Sequence, residues 1–110
     1  MNGIAVAYFF AGLFLANSVP HLVHGASGNR FPSPFASPPG VGESSPLINV
    51  LWGASNLVIG YYLLHGVGDF QGGLSADVAA AGLGALIVAI GLAIHFGRVR
   101  ATSTSRQKSG

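Results

Sequence analysis

The sequence predicts an all-α protein: an integral membrane three-helix bundle, occupying residues 1–110 as one membrane domain, with a proline-rich loop between helices one and two. Three observations carry that prediction. Half of the 110 residues are apolar and only 7% are charged, against about a quarter in a soluble domain, so a water-facing surface cannot be built from this chain. The charges are also unevenly placed: none precedes Arg30, none falls between Glu43 and Asp69, and none between Asp77 and Arg98. Each charge-free interval holds the roughly 20 apolar residues that a helix needs to cross a hydrocarbon core of about 30 Å.

The first span is expected over residues 4–24. It is solidly apolar through Ala16 and is then interrupted by Asn17, Ser18, Pro20 and His21. A cleaved secretory signal would carry a basic leading region and a shorter apolar run, so the segment is read as an uncleaved span. The second span, residues 47–67, follows Ser45 and Pro46. A serine oxygen can cap a free helical amide, and proline at the first helical position forfeits an N–H that has no partner anyway. The third span, residues 78–97, reads VAAAGLGALIVAIGLAIHFG. Asp77 suits its positive end, and Arg98 and Arg100 suit its negative end. GDFQGGLSAD makes a short polar turn between spans two and three.

Basic residues in short flanks resist translocation. The tail over residues 98–110 carries Arg98, Arg100, Arg106 and Lys108 and no acid, so it is expected in the cytoplasm. Counting back, the turn between Asp69 and Asp77 is outside, the loop over residues 25–46 is cytoplasmic with Arg30, and the N-terminus is outside. The pI of 9.5 comes mostly from this tail, which lacks aromatics and reads as a topology signal that meets anionic lipid. No nucleic-acid partner is expected.

Helices in a bilayer associate through close packing of small residues and through interhelical hydrogen bonds. Ala81, Ala85, Ala89, Ala93 and Gly97 form such a seam at four-residue spacing on the third helix. Asn49, Gly53, Asn56 and Gly60 share a face of the second, and Gly3, Ala7 and Ala11 a face of the first. Asn56 lies near mid-span, where an unpartnered amide costs several kcal/mol, so it is expected to face protein. These surfaces suit a compact bundle, a homo-oligomer or a larger membrane complex, with the bilayer as the first partner.

Chemistry-bearing residues gather toward one membrane face. Asn17, His21 and His24 fall at i, i+4 and i+7 on one helical face, beside Pro20, which deprives the helix of one hydrogen bond. His95 and Asn49 lie at a similar depth on the other helices, next to Glu43 in the loop. Neutral imidazole is a common metal ligand, so His21, His24 and His95 are the candidate metal or haem ligands; the plainer reading is that interfacial histidines reach headgroups, water or loop carbonyls. No HExxH or other second motif accompanies them, and no cofactor is assigned from the sequence. His65 sits at the opposite end and belongs to no cluster.

The loop GASGNRFPSPFASPPGVGESSP holds five of the six prolines, with Phe31 and Phe35 among them. Pro39-Gly40 is preset for a type II turn, and the loop is expected to pack back on the helices as an ordered lid. Other templates fail. The absence of cysteine removes thiolate metal sites and thiol nucleophiles. Gly40, Gly42 and Ser45 lack the lysine of a phosphate cradle. Both aspartates lie across the membrane from His21, His24 and His95, which disfavours a Ser-His-Asp relay. No catalytic residue is assigned, and the reading leans away from an enzyme.

At NSVPHLVHGASG, FPSPFASPPG and SSPLINVLWGASNL the chain resembles a group of small, uncharacterised bacterial multi-pass membrane proteins. The resemblance covers residues 17–57. It implies a bacterial inner (plasma) membrane location and places any shared function at Asn17, Pro20, His21, Asn49 and Trp52. Three functional readings follow: a small structural or accessory subunit that binds another membrane component, a metal- or haem-binding membrane protein, and a small transporter or channel oligomer that uses Asn17 and Asn56.

Overall fold

A computed structural model describes residues 3–109, with side chains through residue 102. The chain forms α1 (Gly3–Ala26), a two-residue strand β1 (Phe31–Pro32), its partner β2 (Glu43–Ser44), α2 (Pro46–His65) and α3 (Ala76–Ser109). All three helices are long and apolar enough to cross a membrane, over Gly3–Ala26, Pro46–His65 and Ala76–Thr102. This is a multi-pass membrane protein built as an all-α three-helix bundle.

The helix boundaries follow local chemistry. Ser45 caps α2 by accepting from the Ile48 amide at 3.2 Å, with Pro46 at the first helical position. The helix stops at Gly66, whose N–H bonds the Tyr62 carbonyl at 2.7 Å. α1 continues unbroken past Pro20; a bilayer tolerates proline in a helix that neighbouring helices support. α3 does not end near Gly97, as the span estimate has it, but continues through the tail. No proline or glycine interrupts the sequence from Arg98 to Ser109, so nothing there forces an ending. Arg106 and Lys108 lie outside the residues whose side chains are described.

α1 is the central helix. It packs along both α2 and α3, while α2 and α3 share only marginal contact with each other. Against α2 the packing is antiparallel: Gly25 meets the backbone of Pro46 and Val50, Gly53 meets Leu22, and Gly60 meets Leu15 and Ala11. Against α3 it is parallel, and the two backbones touch where glycines allow it. A methyl group on Gly12 would run into the carbonyl oxygen of Ala81, and one on Gly84 into that of Phe9.

The expected seams hold in part. On α2, Asn49, Gly53, Asn56 and Gly60 are all buried, as their spacing requires. On α1 the buried set is Tyr8, Ala11, Gly12, Ser18, His21 and Gly25, and Gly3 is exposed. On α3, Ala81 and Ala85 border the contact, but Ala89, Ala93 and Gly97 are exposed. A four-residue step advances about 400° around a helix of 3.6 residues per turn, so the seam drifts by about 40° at each step. By Ala89 it has rotated away from α1, and Gly84, which the four-residue spacing skips, is the buried small residue.

Replacing Gly84 by leucine therefore forces α1 and α3 apart, and is expected to destabilise the bundle by about 3 kcal/mol or more. Thermal unfolding in mild detergent should show this, with Ala89→Leu leaving the transition within about 0.5 kcal/mol as befits an outward position.

Candidate functional site

The buried polar groups gather where the loop over residues 27–45 closes on one end of the bundle, and Asn49 organises them. Its amide nitrogen lies within hydrogen-bonding distance of three carbonyls, those of Phe31 at 3.0 Å, Ser44 at 3.2 Å and Ser45 at 3.1 Å. Two N–H groups thus hold the start of α2 and both strands of the loop. This fixes the amide orientation, because the reverse would put its oxygen against three carbonyl oxygens.

The Asn49 oxygen is therefore turned to His21, whose Nδ1 lies 2.8 Å away. An amide oxygen only accepts, so Nδ1 carries the proton and the lone pair of the neutral ring sits on Nε2. His21 is buried between the edges of Phe31 and Phe96, with ring centroids at 5.4 and 6.4 Å. One turn on, His24 stacks on Phe31 at 4.2 Å and 11°. His95 reaches the loop from α3, donating from Nε2 to the Gly40 carbonyl at 2.7 Å.

The loop is an ordered lid with internal bonds of its own. Phe31 pairs with Ser44 and Pro32 with Glu43 in an antiparallel ladder. The hydroxyls of Ser33 and Ser44 meet at 2.6 Å, both residues buried. Pro39-Gly40 forms the type II turn, with Gly40 at φ +73° and the Val41 amide donating to the Pro38 carbonyl at 3.1 Å. The Ser37–Pro38 peptide is cis. Phe31 packs inward, whereas Phe35 stays 66% exposed with its ring edge-on to Trp52 at 5.2 Å.

The three candidate metal ligands do not form a ligand set. Among the described residues no three His, Asp or Glu side chains are grouped as a metal would need. His21 and His95 each commit a nitrogen to a protein oxygen, and His24 lies flat on a phenyl ring. The sequence places them at one depth, but depth leaves open how each ring turns. Glu43 is exposed on β2, outside the buried cluster. His65 packs beside Tyr61 and Phe70 at the far end.

Asn17 and Asn56 are each other's partners: Asn17 donates to the Asn56 oxygen at 3.0 Å, and Asn56 donates to the Trp52 carbonyl at 2.8 Å. Beneath the lid a cavity of about 140 Å³ is lined by Asn17, His21, Trp52 and His95 together with lid prolines and Phe96. The Trp52 indole N–H is buried with no hydrogen-bond partner among the described residues. Phe31, Ser33, Ser44 and Phe96 are site residues that residue type alone does not flag. A phenylalanine directly before Pro32 in an otherwise polar loop is the only cue to Phe31, and nothing in the sequence marks the serine pair.

The chain matches no protein-family profile, no curated protein and no solved structure.

Asn49→Ala takes the side-chain donor from the Phe31 and Ser44 carbonyls and the acceptor from the His21 N–H, while the Ser45 carbonyl keeps the backbone amide of residue 49, and is expected to cost more than about 2 kcal/mol. Asn56→Ala breaks one interhelical bond and should cost about 1 kcal/mol. Chemical denaturation in detergent ranks the two, and limited proteolysis should cut the lid faster in Asn49→Ala alone.

Proposed function

We propose that this protein is a non-enzymatic membrane subunit whose outer helical faces bind another membrane component, either a second copy or a larger complex. The observation that carries the reading is the bare small-residue face of α3. Ala89, Ala93 and Gly97 are exposed, and a methyl group added to Gly97 would meet nothing within 4 Å. In a bilayer the gain from helix association comes from close approach, which small residues permit. The disposition of the polar groups supports the same reading: Asn17, His21, Asn49 and Asn56 are engaged with one another and with backbone, which serves a fixed shape rather than turnover.

The proposal includes a bacterial inner membrane, with the N-terminus outside and the lid and basic tail in the cytoplasm. Its support is that Arg30, Arg98 and Arg100 all belong to the end of the bundle that the lid covers, and basic flanks are retained on the cytoplasmic side.

Ala89→Leu, Ala93→Leu and the pair together test the reading, because these positions are exposed and leave the bundle intact. Crosslinking in native membranes should show a specific adduct in the parent protein, reduced at least about tenfold in the double variant, which corresponds to about 1.4 kcal/mol of lost association. An unchanged adduct, or none in the parent, removes this face from the account.

A further inference from the structure

At the lidded end, between the loop and α3, lies an open cleft of about 640 Å³ lined by Ser37, Val41, Glu43, His95, Arg98 and Val99, among others. We propose that this cleft binds the headgroup of a zwitterionic phospholipid carrying a primary amine, with the phosphate on Arg98 and the ammonium on Glu43.

Depth supplies the first argument. At about 1.5 Å per residue, the uncharged run of α3 over residues 76–97, apart from Asp77 at its start, is about 33 Å long and matches the hydrocarbon core. Arg98 therefore emerges where lipid phosphates lie. The second argument is charge. Glu43 and Arg98 line the same cleft with opposite sign, and among the described residues their recorded hydrogen bonds are made by the main chain, not by the carboxylate or the guanidinium. Arg30 approaches Glu43 through the main chain, its guanidinium bonding the backbone carbonyl of that residue at 3.3 Å, and Arg100 lines an adjoining pocket with Glu43. The acid and the base are thus held apart on two elements. A ligand with both charges, a few bonds apart, satisfies each of them at once.

The remaining walls fit the rest of such a molecule. Val41 and Val99 offer carbon surface to the glycerol and upper acyl chain, and Val41 is 42% exposed. His95 holds the loop in place through Gly40, which keeps Glu43 and Arg98 on opposite sides of the cleft. A primary ammonium donates hydrogen bonds to Glu43, which a quaternary choline cannot do. An anionic glycerol headgroup would bring no cation to Glu43 at all. The inference is independent of the helix-association reading, since it uses neither Ala89 nor Ala93.

Native mass spectrometry of the full chain, delipidated in mild detergent and titrated with phosphatidylethanolamine, phosphatidylcholine or phosphatidylglycerol of identical acyl chains, tests it. The parent protein should retain the ethanolamine lipid about tenfold better than either other lipid, the size of one charge-assisted hydrogen bond. Glu43→Gln should abolish the preference over choline while keeping binding, and Arg98→Gln should weaken all three lipids. Both side chains are exposed, so circular dichroism should be unchanged in either variant. Soluble phosphoethanolamine added as competitor separates the sources: failure to displace the lipid shows that the acyl chains are part of the ligand, whereas full displacement at comparable concentration overturns a lipid site in favour of a free metabolite. Equal retention of the three lipids by the parent, or an unchanged ratio in Glu43→Gln, overturns the proposal outright.

Discussion

One amide holds this end of the molecule together. Asn49 sits on the first turn of α2, yet its side chain reaches the main chain of both loop strands and the imidazole of α1. Backbone groups in a segment that leaves the helical state at a membrane boundary need partners, since burial without them costs several kcal/mol. A long side chain would push the lid away, and a carboxylate could accept but not donate. Asparagine is short, neutral and bifunctional, and the lid, the tautomer of His21 and the position of Phe31 all follow from it.

The same economy explains why the polar residues lie where they do. Within the span Asn17 and Asn56 take each other, and Asn56 spends its own N–H on the Trp52 carbonyl one turn back. Toward the lid the backbone itself becomes available, and the hydrogen bonds turn from side chains to carbonyls. Aromatic rings then close the space that remains. Phe31 is stacked by His24 and touched edge-on by His21 and Phe96, so residues from α1 and α3 converge on one lid side chain.

Much of the fold was legible because charge and hydropathy are blunt signals that a bilayer enforces strictly. The three spans and the Ser45 cap needed nothing more than composition and local chemistry. The buried face of α2 was also legible, since Asn49, Gly53, Asn56 and Gly60 alternate steps of four and three that keep pace with the helix. The α3 seam was misread for the opposite reason: a uniform step of four leaves the face within three steps. The site was half legible. Asn17, His21 and Asn49 do converge, but His21, His24 and His95 were grouped by depth alone, and ring orientation depends on long-range partners such as Gly40 and Phe31 that no periodicity reveals.

The central place of α1 has a consequence for how the protein is made. Its first partner, α2, follows it directly in the chain, whereas the parallel contact at Gly12 and Gly84 waits until α3 has been synthesised and inserted. Until then the glycine face of α1 is bare in the lipid, and any other membrane helix with a complementary small-residue surface competes for it. The α1–α3 contact, made backbone to backbone at Gly12 and Gly84, is therefore the later of the two interfaces of α1 to close.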